Sequence, residues 1–179
     1  MKHKDVWIRT YSGIKFYPFN PKIENILIED IAHSLSNQCR FSGHSSKFYS
    51  VAQHCCFVAD ICSEENKMWG LIHDATEAYF IDVPSPIKKA IKEFKNIENT
   101  LSLAIAEKFN LPSKMPEEVH EADRSIFNVE WVSLMNGDKG FFDFKTKYFK
   151  LKPETPSVAK KNYIKKYNEL LKIENKILI

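Results

Sequence analysis

The chain has 179 residues, 44% hydrophobic and 27% charged, enough to bury about 70% of its unfolded surface, so a single domain over residues 1–179 is expected. Its 26 basic and 23 acidic residues leave a formal charge of +3, too balanced to hold a nucleic-acid polymer through bulk charge. No stretch approaches the roughly 20 apolar residues of a membrane span, and "MKHKDVWIRTYSG" lacks the apolar core of a signal peptide, which predicts a cytoplasmic protein without membrane contact.

In chain order, "VWIRTYSGIKFYPF" alternates around Ser12-Gly13 and predicts a short N-terminal β-hairpin. Everything after it carries helical periodicity. Helices are expected over about 28–39, 50–63, 66–79, 86–93, 96–109, 116–136 and 157–175, the sixth introduced by Pro112 and Pro116 and the last by Pro156 and Ser157. The fold class is all-α, a helical bundle with one hairpin. The segment 136–157 is rich in Phe, Lys and turn residues, and its Phe141, Phe142, Phe144 and Phe149 are expected in core or subunit contacts rather than on a ligand platform. A symmetric homo-oligomer is the default expectation.

Cys39, Cys55, Cys56 and Cys62 have the spacing of neither a zinc ribbon nor a disulfide framework, and are read as reduced, small apolar residues. The polar residues are more informative. On helix 50–63, His54 lies on the apolar stripe of Val51, Cys55, Val58 and Cys62 and must point inward. On helix 66–79, Gly70, His73 and Glu77 form one line, with Asp74 on its shoulder beside Leu71, Ile72, Ala75 and Tyr79. On helix 116–136, Asp123 sits at the edge of the stripe Val119, Ala122, Ile126, Val129 and Val132.

Each group alone has an ordinary reading: His54 bonded to a backbone carbonyl, Asp123 paired with Arg124 or His120. Adjacent His73 and Asp74 diverge on a helix and cannot simply satisfy each other. A divalent cation would satisfy all four, because it accepts imidazole nitrogen and carboxylate oxygen together and cancels the cost of burying the charges.

The order His54, then "HD" at 73–74, then Asp123 resembles the HD-domain metal-dependent phosphohydrolases, whose ligand order is H…HD…D. The setting narrows the resemblance. "FYSVAQHCCFVAD" followed by "WGLIHDATEAYFIDVPSPIKKAI" is similar to the small branch that includes bacterial 5′-deoxynucleotidases and phage-type deoxynucleoside triphosphate hydrolases, in which H-D-A-x-E-A precedes D-x-P-x-P and a basic helix. It covers about Ile28 to Asn136 and implies an HD-domain helical bundle.

That resemblance implies His54, His73, Asp74 and Asp123 as metal ligands and Glu77 as the catalytic acid. It implies a nucleoside contact for the loop Asp82, Val83, Pro84 and Ser85, a phosphate-orienting role for Arg40, and packing of Phe41 near the base. The monophosphate enzymes carry Trp where this chain has Phe41, a departure shared with the phage-type sequences, which leaves base and phosphate number open. His44 is a further candidate phosphate or base contact. Lys88 and Lys92, four apart, would hold a longer phosphate tail, or with Lys89 form a solvated face.

The expected activity is hydrolysis of (deoxy)nucleotide 5′-phosphates, mono- to triphosphate, at the α-phosphorus with release of nucleoside. The expected cofactor is one divalent transition metal ion, Mn, Co, Fe, Ni or Zn, with room for a second ion such as Mg bound with the phosphates. Two alternatives stand beside it: a catalytically silent module using its metal as a staple in a binding or scaffold role, and hydrolysis of a cyclic dinucleotide or guanosine alarmone. Glu77 separates the first of these, since a structural site needs no adjacent acid.

Overall fold

The computed structural model describes residues 5–136 and 150–177, the side chains of Lys92 and of residues 174–177 excepted. The expected hairpin is present. β1 (Ile8–Arg9) pairs antiparallel with β2 (Lys15–Phe16), Ile8 opposite Phe16. Gly13 makes the turn at φ +87°, a conformation open to glycine. Asp30 pins that turn by accepting from the Ser12 amide at 2.7 Å and the Ser12 hydroxyl at 2.8 Å. Phe16 is thereby fully buried and stacks on Tyr79 at 4.1 Å between ring centroids.

The rest is helical: α1 (Ile28–Asn37), α2 (Val51–Ile61), α3 (Lys67–Ile72), α4 (Glu77–Phe80), α5 (Ser85–Ala90), α6 (Lys92–Lys108), α7 (Glu117–Leu134) and α8 (Pro156–Ile177). α2 is the axis. Ser50 caps it, accepting from the Gln53 amide at 3.1 Å, and its residues are buried nearly all round because α1, α3, α7 and α8 pack against it. One apolar cluster joins α1, α2, α3 and α8 through Leu35, Val51, Cys55, Leu71 and Tyr163. A second joins α2, α3 and α7 through Val58, Trp69, Val119, Ala122 and Ile126. Cys55, Cys56 and Cys62 are free and buried, and Cys39 is free and half-buried, which bears out their reading as reduced cysteines.

The expected continuous helix 66–79 is a correction: α3 stops at Ile72 and α4 starts at Glu77, with a turn between. The expected helices 86–93 and 96–109 become α5 and a longer α6 beginning at Lys92. Phe141, Phe142, Phe144 and Phe149 lie outside the described residues.

One contact brings the two histidine-bearing segments together. A Cβ on Gly70 would stand 2.9 Å from the Ala59 Cα and 3.1 Å from the Cys62 Sγ, so α3 meets the backbone of α2 where only a hydrogen fits. Glycine in an exposed helix costs about 1 kcal/mol relative to alanine, and here close packing offsets that cost. Gly70→Ala is therefore expected to lower unfolding stability by about 1–3 kcal/mol through overpacking, measured by urea denaturation. A gain in stability would show that α2 and α3 have room between them.

Candidate metal centre

The break in the helix is made by the residues of the site. The Gly70 carbonyl, which a continuing helix would offer to the amide of residue 74, accepts instead from the His73 Nδ1 at 2.8 Å. The chain then tightens. Ala75, Glu77, Ala78 and Tyr79 donate to carbonyls three residues back, at 2.8–3.2 Å. At three residues per turn, positions i and i+3 eclipse, so Asp74 and Glu77 face the same side.

His54 comes from α2, Asp123 from α7, and His73 with Asp74 from this turn. His54 Nε2 lies 3.1 Å from Asp123 Oδ1, 3.3 Å from His73 Nε2 and 3.7 Å from Asp74 Oδ2. His73 Nε2 lies 3.3 Å from Asp74 Oδ2. Each imidazole is oriented from behind, His54 Nδ1 by Glu130 Oε1 at 2.7 Å and His73 Nδ1 by the Gly70 carbonyl. With protons on both Nδ1 atoms, both Nε2 lone pairs point into the cluster beside two carboxylates, the second-sphere arrangement of metal-ligating histidine. His54, His73 and Asp123 offer donor atoms all within 4.8 Å of one another, a group able to hold a metal ion.

Cys55, His73 and Asp74 form an overlapping group. Burial, with the Asp74 charge adding to it, pushes the Cys55 thiol far up, and the thiolate is the ligating form. The field of the cluster favours positive charge. Burial works against protonation of His73, yet Asp74 pushes it up to about 9. His54 is also raised against burial and the Arg40 charge, by Glu130 and Asp123. Burial opposes the charge on Asp74, and His73 with His54 and Arg40 overcomes it, holding Asp74 far below the carboxylate range. Asp123 is lowered too, its burial outweighed by His54.

Beside these groups opens a cavity of about 830 Å³. Arg40, Phe41, His44, Asp74, Glu77, Lys88, Asp123 and the whole loop from Asp82 to Ser85 line it, so most of the candidate residues are brought to one place. Lys92 opens α6, and its side chain lies outside the described residues. Asp123 pairs with His54 rather than with Arg124 or His120, the Arg124 guanidinium being drawn to Glu117 at 3.2 Å.

Glu77 is 5% exposed. Its Oε1 takes Lys88 Nζ at 2.9 Å, while its Oε2 is buried without a hydrogen-bond partner among the described residues. Burial first, then Asp74 and Asp82, push its carboxyl up to about 8 against the pull of Lys88. Lys88 also donates to Glu98 at 2.9 Å, so it is a bridging cation rather than a member of a free basic face.

Two residues of this site escaped the sequence reading. Glu130 is wholly buried and joins His54 to Arg40, whose Nε and Nη2 reach its Oε2 at 3.2 and 3.1 Å. Its place seven residues after Asp123, two turns along the same face, was the available signal. Gln38 left no such signal. Its amide donates to the Glu77 carbonyl and accepts from the Asp82 amide, both at 2.9 Å, and so clamps the segment 78–81. The last residue of that segment, Ile81, holds φ +81° and ψ 151°, a region costly for a β-branched side chain. Phe41 and Ser42, which also line the cavity, hold left-handed backbone at φ +56° and +52°.

Removing one partner of a buried ion pair leaves the other charged and dry. Glu130→Ala is expected to cost about 3–5 kcal/mol of stability, read by denaturant unfolding, and Glu130→Gln less, since it keeps an acceptor for His54. Equal, small losses in both would mean that Arg40 finds other solvation.

No family model matches the chain. The uncharacterized protein YfdR of Escherichia coli strain K12 is 37% identical over 169 residues, spanning 92% of this chain and 95% of its own length. The uncharacterized protein RCAP_rcc00048 of Rhodobacter capsulatus is 32% identical over 136 residues, 70% of this chain and 69% of that protein. At that identity, sustained over nearly the full length of both chains, the protein belongs to the family of Escherichia coli YfdR.

Proposed function

We propose that the protein is an HD-type, metal-dependent phosphohydrolase that cleaves (deoxy)nucleotide 5′-phosphates at the α-phosphorus and releases nucleoside. The observation that carries this reading is the meeting of His54, His73, Asp74 and Asp123 beside a cavity that Asp74 and Asp123 line, whose wall also holds a buried carboxyl, Glu77, that is not itself needed as a ligand. A purely structural metal site has no use for that acid.

Two imidazole nitrogens and two carboxylate oxygens suit Mn, Co, Fe, Ni or Zn. When bound there, such an ion supplies a Lewis acid for a phosphoryl oxygen and lowers the pKa of water. The chain's own residues do the rest. Arg40 spends Nε and Nη2 on Glu130 and turns Nη1 toward Asp74 at 3.5 Å, on the cavity side, where it can grip a phosphate oxygen. Water oxygen joins the α-phosphorus as the bond to O5′ breaks, and Glu77 is placed to orient that water or to give O5′ its proton. The Asp82 carboxylate, its own amide fixed by Gln38, is offered to a sugar or base hydroxyl or amine. Lys88 serves Glu77 and Glu98 first, so a longer phosphate tail reaches it only by displacing one of them.

A panel of ribo- and deoxyribonucleoside mono-, di- and triphosphates with several divalent metals, scored by release of nucleoside, tests the reading. Asp74→Asn and Asp123→Asn are expected to lose bound metal, measured by elemental analysis, while keeping their helical circular dichroism; full occupancy in both would remove the proposed centre. Glu77→Gln is expected to keep its metal and slow turnover by about 10²–10⁴. Metal-loaded protein that turns over no nucleotide would instead support the silent, metal-stapled alternative.

Lys88→Ala provides the test of phosphate number. Because its ammonium holds Glu77, the expected loss is shared by mono- and triphosphate substrates, at roughly 10- to 150-fold for a charge-assisted hydrogen bond. A loss confined to triphosphates would make Lys88 a contact to the tail.

A further inference from the structure

The wall of the cavity away from the metal ligands is aromatic, and the chemistry proposed at Asp123 and Glu77 makes no use of it. α7 carries Asp123, Phe127 and Trp131 at intervals of four, and all three line the cavity. Residues four apart share a helix face and rise about 6 Å per step. Phe127 therefore stands one pentose's reach along the wall from the Asp123 carboxylate.

The rings are arranged as a shelf. Phe127 and Trp131 stack with centroids 5.7 Å apart and planes 27° apart. Phe41 leans on Phe127 at 5.9 Å, tilted by 48°, from a left-handed backbone at φ +56°. A strained residue that braces a ring is retained against a conformational penalty. Phe127 itself is 38% exposed, whereas Ile126 and Val129 on the other side of α7 are buried. The cavity is also lined by Pro84 and by Pro86 in the first turn of α5, both stiff and apolar. The rim also carries Asp82 and His44, whose polar atoms an aliphatic ligand would leave unpaired.

We propose that Phe127 and Trp131 form the binding shelf for a planar heteroaromatic ring, the nucleobase, which stacks on Phe127 while its edge meets Asp82 or His44. This rests on the nucleotide reading for the phosphate end, and it is tested separately by a ligand that has no phosphate.

The chain's tryptophans are Trp7, Trp69 and Trp131, so binding at the shelf is read as the fluorescence quench that disappears in Trp131→Phe. Deoxyadenosine and thymidine are expected to quench the wild type, and 2-deoxyribose is not. Phe127→Ala, checked for an unchanged thermal midpoint, should weaken nucleoside binding by about 5- to 150-fold, the usual worth of one base stacked on an aromatic ring, and Phe127→Tyr should restore it. In turnover, selectivity for deoxynucleoside monophosphate over 2-deoxyribose 5-phosphate should fall by the same factor. Nucleoside affinity unaltered in Phe127→Ala, no Trp131 quench by any nucleoside, or an equal loss on both esters would overturn the shelf. Quenching by nucleosides without phosphate release under any metal would overturn the hydrolase reading and leave the shelf standing.

Discussion

A carboxylate with no access to water organises the centre. Glu130 is wholly buried, and isolated charge in such a place costs several kcal/mol. The cost is met by pairing with Arg40 on one side and His54 on the other. Burial pushes the Glu130 carboxyl up, but Arg40 and His54 more than reverse this and hold it below its ordinary value. Three segments are bound by one requirement: α7, distant in sequence, supplies the charge, α2 the imidazole and the 39–50 loop that leads into α2 the guanidinium. The loop is closed at its base by backbone bonds from Arg40 to Tyr49 at 2.9 Å and from Val51 to Gln38 at 3.2 Å, so Arg40 cannot drift from its partner. The atoms that Glu130 has not consumed turn the other way, His54 Nε2 toward Asp123 and His73 and Arg40 Nη1 toward Asp74.

The second requirement is steric. His73 reaches His54 because α3 touches α2 without a side chain between them at Gly70. The same glycine's carbonyl then takes the His73 Nδ1 and ends the helix. Close approach, tautomer and helix break follow from one residue, and the shift to three residues per turn sets Asp74 and Glu77 side by side. Burial raises the proton affinity of both carboxylates; at Asp74 the charges of His73, His54 and Arg40 outweigh it, whereas at Glu77 the single ammonium of Lys88 is outweighed by burial and the charges of Asp74 and Asp82. That explains why Asp74 is driven down and Glu77 driven up within a single turn.

The helical fold and the inward positions of His54, Asp123 and the His73–Asp74 pair were legible in the sequence because they depend on periodicity, which is local. The break after Ile72 was not. Apolar spacing continues through Ala75 and Tyr79, and what stops the helix is a side-chain bond to the Gly70 carbonyl, which leaves no trace in hydropathy. Glu130 was hidden for a related reason: a charged residue on an amphipathic helix reads as surface unless its partner is known, and the partner here lies 90 residues away. Gln38 owes its role entirely to tertiary context, since its amide links Glu77 to Asp82 across the strained Ile81.

The mouth of the cavity is held differently from its floor. α5 buries none of its side chains, so packing contributes little to its place, and Ile87 stands exposed. Its firm attachment is Lys88, which donates to Glu77 on α4 and Glu98 on α6. Both carboxylates and the ammonium are partly shielded from water, which makes this pairing stronger than a surface ion pair while leaving it exchangeable for another anion. Lys88 itself is raised, since Glu77 and its hydrogen bonds to Glu98 and Glu77 outweigh burial. The position of the cavity wall and the orientation of the buried acid are thus one equilibrium. An anion that drew Lys88 away would also strip Glu77 of its hydrogen-bond donor, so the state of Glu77 depends on what the cavity holds.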